Sequence, residues 1–186
     1  MKPGCALLML STWLVIGCGG PDPEPSPPCE RKCQDATALR ALREIMKLVF
    51  NLTLQGNAVG PQDETTPCPM GGSARVFGQA TSNAVQGAIE VDLTYELTEC
   101  AYLQRDDEPP ENYNMTIAGT VLQQGTIAVQ PSATMALNMS SEAVSFVGTV
   151  YDPPIGFEEP ACAVRMGQSG NQLSGTICDR EAGTDL

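Results

Sequence analysis

Histidine is absent from this chain of 186 residues. Without it, neither a Ser-His-Asp nor a Cys-His catalytic arrangement can form, and zinc sites with imidazole ligands are excluded. Aromatic residues are scarce, with one Trp, four Tyr and four Phe, so the core must be built mainly from aliphatic residues and Met. We therefore expect a protein that is not an enzyme, with no catalytic residues, no metal and no cofactor.

Basic residues are also few. Ten Lys and Arg face 22 Asp and Glu, which gives a formal net charge of -12. Because such a surface repels phosphate backbones, we expect no nucleic-acid partner. A pair of carboxylates can hydrolyse glycosides, but an acidic chain offers many pairs and no specific motif. A carboxylate-based hydrolase therefore remains only an alternative hypothesis.

Long hydrophobic runs are missing. The apolar segment from Cys5 to Ile16 is too short for a permanent membrane-spanning helix, which needs roughly 20 residues. It follows Lys2 and is followed at once by polar, proline-rich chain. This pattern is typical of a cleaved signal peptide, which we place at residues 1–17.

The residues at the expected cleavage site are Val15-Ile16-Gly17-Cys18. They resemble the lipobox of bacterial lipoproteins, and the resemblance implies cleavage before Cys18, lipidation of its thiol and a membrane anchor. Gly19 stands where Asp would retain a lipoprotein in the inner membrane, so an outer-membrane location is favoured. The alternative is an ordinary signal peptide in which Cys18 is incidental. Residues 18–28 alternate prolines with polar residues and are expected to form an extended tether.

The cysteine count agrees with export. Eight cysteines are present, and six remain when Cys5 and Cys18 are set aside. An even number in an exported chain predicts disulfides. Folding the last hairpin symmetrically about Gly170 places two cysteines opposite each other, and two more bracket a hairpin around Asn83, which would require a bulge. The expected pairs are Cys162–Cys178, Cys68–Cys100 and, by elimination, Cys29–Cys33, although the last two could instead reach the β domain.

One amphipathic helix is predicted, within residues 29–61, which form the N-terminal helix and a connector. Its apolar residues recur at steps of three and four, while Arg40, Arg43, Glu44 and Lys47 fall on the other side. The helix either packs on the main domain or rests on anionic lipid headgroups as a basic amphipathic helix. The expected apolar face consists of Leu39, Leu42, Ile45, Met46, Val49 and Leu52.

Residues 62–186 are predicted to form a disulfide-stabilised β domain. Apolar and polar residues alternate in runs such as Ile89 to Leu97, Tyr113 to Val121 and Val144 to Val150. Period-two alternation predicts antiparallel strands with one wet face. We expect a mainly β fold: an antiparallel meander of about seven strands that forms a barrel or a sandwich.

Short Gly-Thr segments recur along these strands. The physical interpretation is a set of bulges or close sheet contacts at positions without a side chain. The pattern resembles the Gly/Thr-rich β domains of uncharacterised bacterial lipoproteins, and this resemblance implies no activity. The copies are Gly119-Thr120-Val121, Gly125-Thr126-Ile127, Gly148-Thr149-Val150 and Gly175-Thr176-Ile177.

Two acidic segments are expected to be loops. The first is Asp106-Asp107-Glu108-Pro109-Pro110-Glu111, whose carboxylates could hold Ca²⁺ but match no calcium-binding loop motif. The second runs from Asp152 to Pro160, with Ile155, Gly156 and Phe157 at its tip. We interpret both as solvated loops.

Two functional hypotheses follow. The first is a membrane-anchored envelope lipoprotein with a non-catalytic binding, adhesive or structural β domain, whose partner is an unknown envelope protein or a small ligand. The second is a carrier that holds a small apolar ligand inside a β-barrel lined by Met115, Met135 and Met139. Methionine more often fills a core, so core positions are preferred for all three. An open apolar cavity would favour the carrier, and a filled interior would favour the module.

Overall fold

A computed structural model describes residues 27–54, 59–83, 85, 87–105, 112–129, 134–151 and 153–186. The expected signal peptide, the lipidation site Cys18, most of the tether and the acidic segment 106–111 lie outside the described residues. Within them, no helix is long and apolar enough to cross a membrane.

The described chain forms one helix followed by one antiparallel sheet. Its eight strands are hydrogen-bonded in sequence order, so the sheet is a simple meander. This confirms the mainly β prediction with one N-terminal helix. The sheet is not closed into a barrel, because β1 and β8 are its two edges. The elements are α1 (Arg31–Thr53), β1 (Gly60–Pro67), β2 (Ser73–Asn83), β3 (Ala88–Gln104), β4 (Tyr113–Ala128), β5 (Ala136–Val150), β6 (Ile155–Ser169), β7 (Gln172–Ile177) and β8 (Arg180–Asp185).

Helix α1 packs against the sheet. It contacts strands β1 to β5, β7 and β8, so the sheet curves around it. The predicted apolar face is confirmed at Leu39, Leu42, Ile45 and Met46, which are completely buried, and this burial favours packing on the domain over packing on lipid. Strand β1 begins at Gly60, two residues before the expected start of the β domain.

Two helix positions differ from the prediction. Leu52 was expected on the packed face but is 59% exposed, whereas Arg43 was expected in solvent but is only 5% exposed. Leu52 lies in the last turn of α1, next to Asn51, which is also exposed. Because the sheet covers more of the helix than one narrow face, it also covers the position of Arg43.

The alternating pattern of the strands is confirmed in β3. Val91, Leu93, Tyr95 and Leu97 are buried, and the residues between them are exposed or half-buried. The pairing with β4 then shifts between Leu97 and Cys100, which is the site of a β-bulge. Because of the bulge, the next buried side chain after Leu97 is that of Cys100.

The predicted loop around Ile155 to Phe157 is wrong. Strand β6 begins at Ile155, and Phe157 is buried with its ring 6.4 Å from that of Phe146. The prolines and acids of this segment suggested a loop, but an irregularity in the β5–β6 pairing accommodates Pro160 within the strand. Proline lacks an amide hydrogen, so it is tolerated within a strand only where the pairing needs no donor, as at such an irregularity.

All three expected disulfides are present: Cys29–Cys33, Cys68–Cys100 and Cys162–Cys178. The register proposed for the last hairpin was one residue off, since Ser169 pairs with Gln172 around the turn Gly170-Asn171.

Cys178 lies in the β7–β8 turn rather than directly opposite Cys162. Cys178 and Asp179 have positive φ angles of 48° and 62°, which direct the chain into that turn. The bridge therefore spans from β6 to the turn, with the two Cα atoms 4.8 Å apart.

The recurring glycines lie where strands approach closely. A Cβ on Gly125 would lie 2.2 Å from the backbone oxygen of Ala136, and one on Gly175 would lie 2.0 Å from that of Arg165. Both distances are far below van der Waals contact, so these positions accept only glycine without a local shift. The interpretation as close sheet contacts is confirmed here.

Candidate functional site

Two adjoining cavities lie between the C-terminal half of α1 and the sheet. The smaller has a volume of about 210 Å³ and the larger about 430 Å³. We call the smaller one the Arg43 cavity. The two share Arg43, Lys47, Ala128 and Met135, and the larger extends past Glu44 to the turn at Gly170. The residues of the Arg43 cavity used below are Arg43, Met46, Phe50, Gln123, Ile127 and Met135.

The fold brings these side chains together from four segments. Arg43 lies four residues after Leu39 and three before Met46, so all three share one stripe of the helix. Strand β4 supplies Gln123 and Ile127. Met135 immediately precedes β5, and Gln168 lies near the end of β6.

The guanidinium of Arg43 is held by neutral acceptors. Its Nε donates a hydrogen bond to Oε1 of Gln168, and its Nη2 lies 3.5 Å from the sulfur of Met135. The amide of Gln168 donates in turn to the carbonyl of Gly170 at 2.9 Å, which fixes its oxygen towards Arg43. These contacts orient the guanidinium at the boundary of the cavity.

A second polar pair lies beside Arg43. The hydroxyl of Tyr95 donates to Oε1 of Gln123 at 2.9 Å, and both residues are buried. Burial raises the pKa of the Tyr95 hydroxyl, while the nearby charge of Arg43 acts in the opposite direction. The phenol therefore stays protonated and serves as a neutral donor.

The charge of Arg43 is expensive to bury. Burial lowers the pKa of its guanidinium, and the carboxylate of Glu44 opposes that effect. The guanidinium still remains charged, since arginine does not lose its proton in proteins. Glu44 itself lies 3.3 Å from the ammonium of Lys47 and forms an ion pair with it. Among the described residues, none places a carboxylate at ion-pair distance from Arg43.

The opposite end of the helix has a different arrangement. Asp35 is 1% exposed and accepts two hydrogen bonds of 2.8 Å from Arg180, which also pairs with Glu159 at 2.8 Å. Hydrogen bonding to Asp35 raises the pKa of Arg180. Arg31 also pairs with Glu159. Because charge is balanced within this cluster, it fastens α1 to β6 and β8 without requiring an outside ligand.

The three methionines of the carrier hypothesis divide between core and cavity. Met115 and Met139 are at most 1% exposed and belong to the core, as preferred from the sequence. Met135 is half-buried and borders both cavities. The stripe therefore does not line one continuous interior channel.

The sequence pattern does not predict this site. It places Arg43 on the polar side of the helix and gives no signal for Gln123 or Gln168. The available signal was the spacing of Arg43 from Leu39 and Met46, which places a cation on an apolar stripe. Within the described ranges, no group of three His, Cys, Asp or Glu residues is placed to hold a metal ion.

Comparison with protein-family models, with curated proteins and with solved structures found no match to this chain.

Proposed function

We propose that this protein is an exported lipoprotein, anchored through Cys18, whose folded domain is a non-catalytic binding module of the cell envelope. The observation that carries the proposal is the placement of α1: the helix fills the concave side of the sheet, and a cavity with a buried cation opens beside it. The outer membrane remains the favoured location because Gly19 follows the lipidation site.

The disulfides support export. Six cysteines form three bridges, and such bridges persist in oxidising compartments such as the bacterial periplasm and the cell surface. The helix begins at Arg31, two residues after Cys29, so the tether would lead straight into the folded domain. An extended tether of this length would hold the domain roughly 30 Å from the lipid, at about 3.1 Å per residue.

The packing of α1 supports a module over a carrier with a hollow interior. Leu42, Ile45 and Met46 have no exposed surface and belong to one continuous core with the sheet. A carrier that encloses an apolar ligand needs interior volume at this place. The helix occupies it, and the cavities lie at one end instead.

The side chains at that end support binding over a purely structural role. Arg43, Gln123 and Gln168 are buried polar groups: Arg43 lines both cavities, Gln123 the smaller and Gln168 the larger. Burying polar groups next to a void costs free energy that a well-packed apolar core would avoid. A ligand that contacts them would recover part of that cost.

Anchoring is tested by metabolic labelling with a fatty-acid analogue in a bacterial host. Wild-type protein should carry label and enter the detergent phase. Cys18→Ala should lose the label and accumulate as uncut precursor, while Cys5→Ala, the matched control within the expected signal peptide, should remain labelled. Unlabelled wild-type protein in the aqueous phase would contradict the anchor.

Binding is tested by native mass spectrometry of the wild-type protein extracted from its own host in mild detergent. We expect an additional non-covalent mass that disappears after denaturation and refolding. Protein that carries only its covalent lipid would count against the binding function and leave the anchor intact.

A further inference from the structure

We propose that the Arg43 cavity binds the carboxylate of a small amphipathic monocarboxylate, with the apolar part of the ligand against the sulfur and hydrocarbon side chains of the cavity. This inference rests on the proposed binding function and names the ligand class of the same site.

The pairing of the arginines points to an anion. Arg31, Arg75, Arg165 and Arg180 each lie within ion-pair distance of a carboxylate. Arg43 is more buried than any of them, yet the described residues offer it only neutral partners. A buried charge without a counter-ion is strongly destabilising, so an anion supplied from outside the chain is the complementary partner.

The contacts of the guanidinium leave one edge available. Gln168 occupies Nε, while Nη2 contacts only the sulfur of Met135, and sulfur is a weak acceptor. None of the described residues accepts a hydrogen bond from Nη1. A carboxylate can therefore bind Nη1 and Nη2 together in the two-bond geometry that matches a guanidinium.

The charges around the cavity are compatible with a bound carboxylate. Lys47 lies at its rim and adds a second cation, whereas Glu44 borders only the larger neighbouring cavity. The residues that line the Arg43 cavity therefore include two cations and no carboxylate. The ion pair between Lys47 and Glu44 also limits the repulsion that the Glu44 carboxylate would exert.

The apolar side chains that line the cavity favour a ligand with an apolar part. Met46, Phe50, Ile127 and Met135 surround the volume of about 210 Å³. A water molecule takes up about 30 Å³ of liquid, so this volume admits a molecule of about seven heavy atoms. A six-carbon carboxylate is close to that size. Inorganic phosphate would satisfy the charge but would leave the apolar lining without contacts.

The test is isothermal titration calorimetry of the full-length protein in detergent, with sodium hexanoate as the probe. We expect one hexanoate per chain. Hexan-1-ol has the same carbon chain without the charge, and inorganic phosphate has charge without the chain. Each should bind at least about tenfold more weakly, since hydrogen bonds to a charged group and burial of the chain both contribute.

Three variants locate the site. Arg43→Met should weaken hexanoate binding at least about tenfold, the effect of losing hydrogen bonds to a charged group. Arg165→Met removes the same charge from an exposed residue on β6 and should bind like the wild type. Ala128→Leu keeps Arg43 but fills the cavity, so it should also weaken binding and can decide the matter if Arg43→Met fails to fold.

The proposal is overturned if hexanoate does not bind the wild type at about 10 mM, roughly ten times the dissociation constant of about 1 mM of a weak ligand. It is also overturned if a folded Arg43→Met or Ala128→Leu variant binds as tightly as the wild type, or if phosphate binds more tightly than hexanoate. If native mass spectrometry finds a ligand of another class while hexanoate fails, only this inference falls. Absence of any co-purified ligand would instead count against the binding function itself.

Discussion

Replacing Ile45 with Asp tests how the helix and the sheet depend on each other. Ile45 has no exposed surface and lies in the middle of α1, within the core shared by helix and sheet. The change removes an apolar side chain and introduces a carboxyl group with no partner in its place. We expect a large loss of folding free energy.

The magnitude follows from two contributions. Losing the burial of an isoleucine side chain costs about 2 to 3 kcal/mol. Burying a neutral carboxyl group without a hydrogen-bond partner costs about 2 kcal/mol more. A loss of about 4 to 5 kcal/mol would be at least about a quarter of the stability of most domains, which is about 5 to 15 kcal/mol.

The loss should also depend on pH. Burial would raise the pKa of the new Asp above its unfolded value of about 3.9. The unfolded chain then releases this proton at lower pH than the folded chain does. The penalty is therefore smallest below about pH 4 and grows as the pH rises towards the folded pKa.

Urea unfolding at several pH values, with disulfides intact, measures these effects. Leu52→Asp is the matched control, because Leu52 is on the same helix but 59% exposed. Its effect should stay within about 0.5 kcal/mol. Equal unfolding midpoints for the two variants at pH 7 would refute the conclusion that the sheet buries the face of Ile45.

Three further changes test other parts of the fold. Replacing both Cys162 and Cys178 with Ala should cost about 3 kcal/mol in the chain-entropy model, and an unchanged melting temperature would show that this bridge does not constrain the chain. Burial raises the pKa of Tyr95 above the value of about 10 that it has in the unfolded chain. The contribution of Tyr95 to the folding free energy is therefore fully present below about pH 10 and is lost as the pH rises further, because the unfolded chain ionises first. Urea midpoints should therefore fall less steeply above that pH in Tyr95→Phe than in the wild type, and parallel curves would contradict the burial of the phenol. Gly175→Val should destabilise by about 2 kcal/mol or more because its Cβ meets backbone, whereas Gly183→Ala, where the nearest atom is 3.2 Å away, should be milder. Similar melting curves for these two variants would contradict the close strand approach.

The strands could be predicted because one face of the sheet is buried and the other is exposed to solvent. In β3 this requirement places Val91, Leu93 and Tyr95 on one side and makes the alternation visible in the sequence. The opening of β6 could not be predicted in the same way. Its glycine, prolines and acids resemble a loop, and the strand is revealed by the pairing of Ile155 with Val150 and of Phe157 with Gly148.

The disulfide pairing was predicted correctly from an incorrect register. Hairpin symmetry brought Cys162 near Cys178 because an error of one residue moves a Cα by only a few ångströms. The true turn at Cys178 and Asp179 depends on positive φ angles in two residues that are not glycine. Composition alone gives no reason to expect such a turn there.

The candidate site was the least predictable part. Helical periodicity separates apolar from polar residues, and it assigns an arginine to solvent by default. Arg43 is buried because it contacts Gln168 and Met135, which are more than 90 residues away in sequence. The local sequence around Arg43 contains no information about those partners.

The most direct test of the site is nuclear magnetic resonance of the arginine side chains, in protein labelled with ¹⁵N and titrated with sodium hexanoate. We expect the Nε–Hε signal of Arg43 to shift and saturate over the same concentration range as the calorimetric binding, while the signal of Arg165 stays unchanged. An Arg43 signal that does not move while hexanoate binds would place the ligand elsewhere and contradict the assignment of the site.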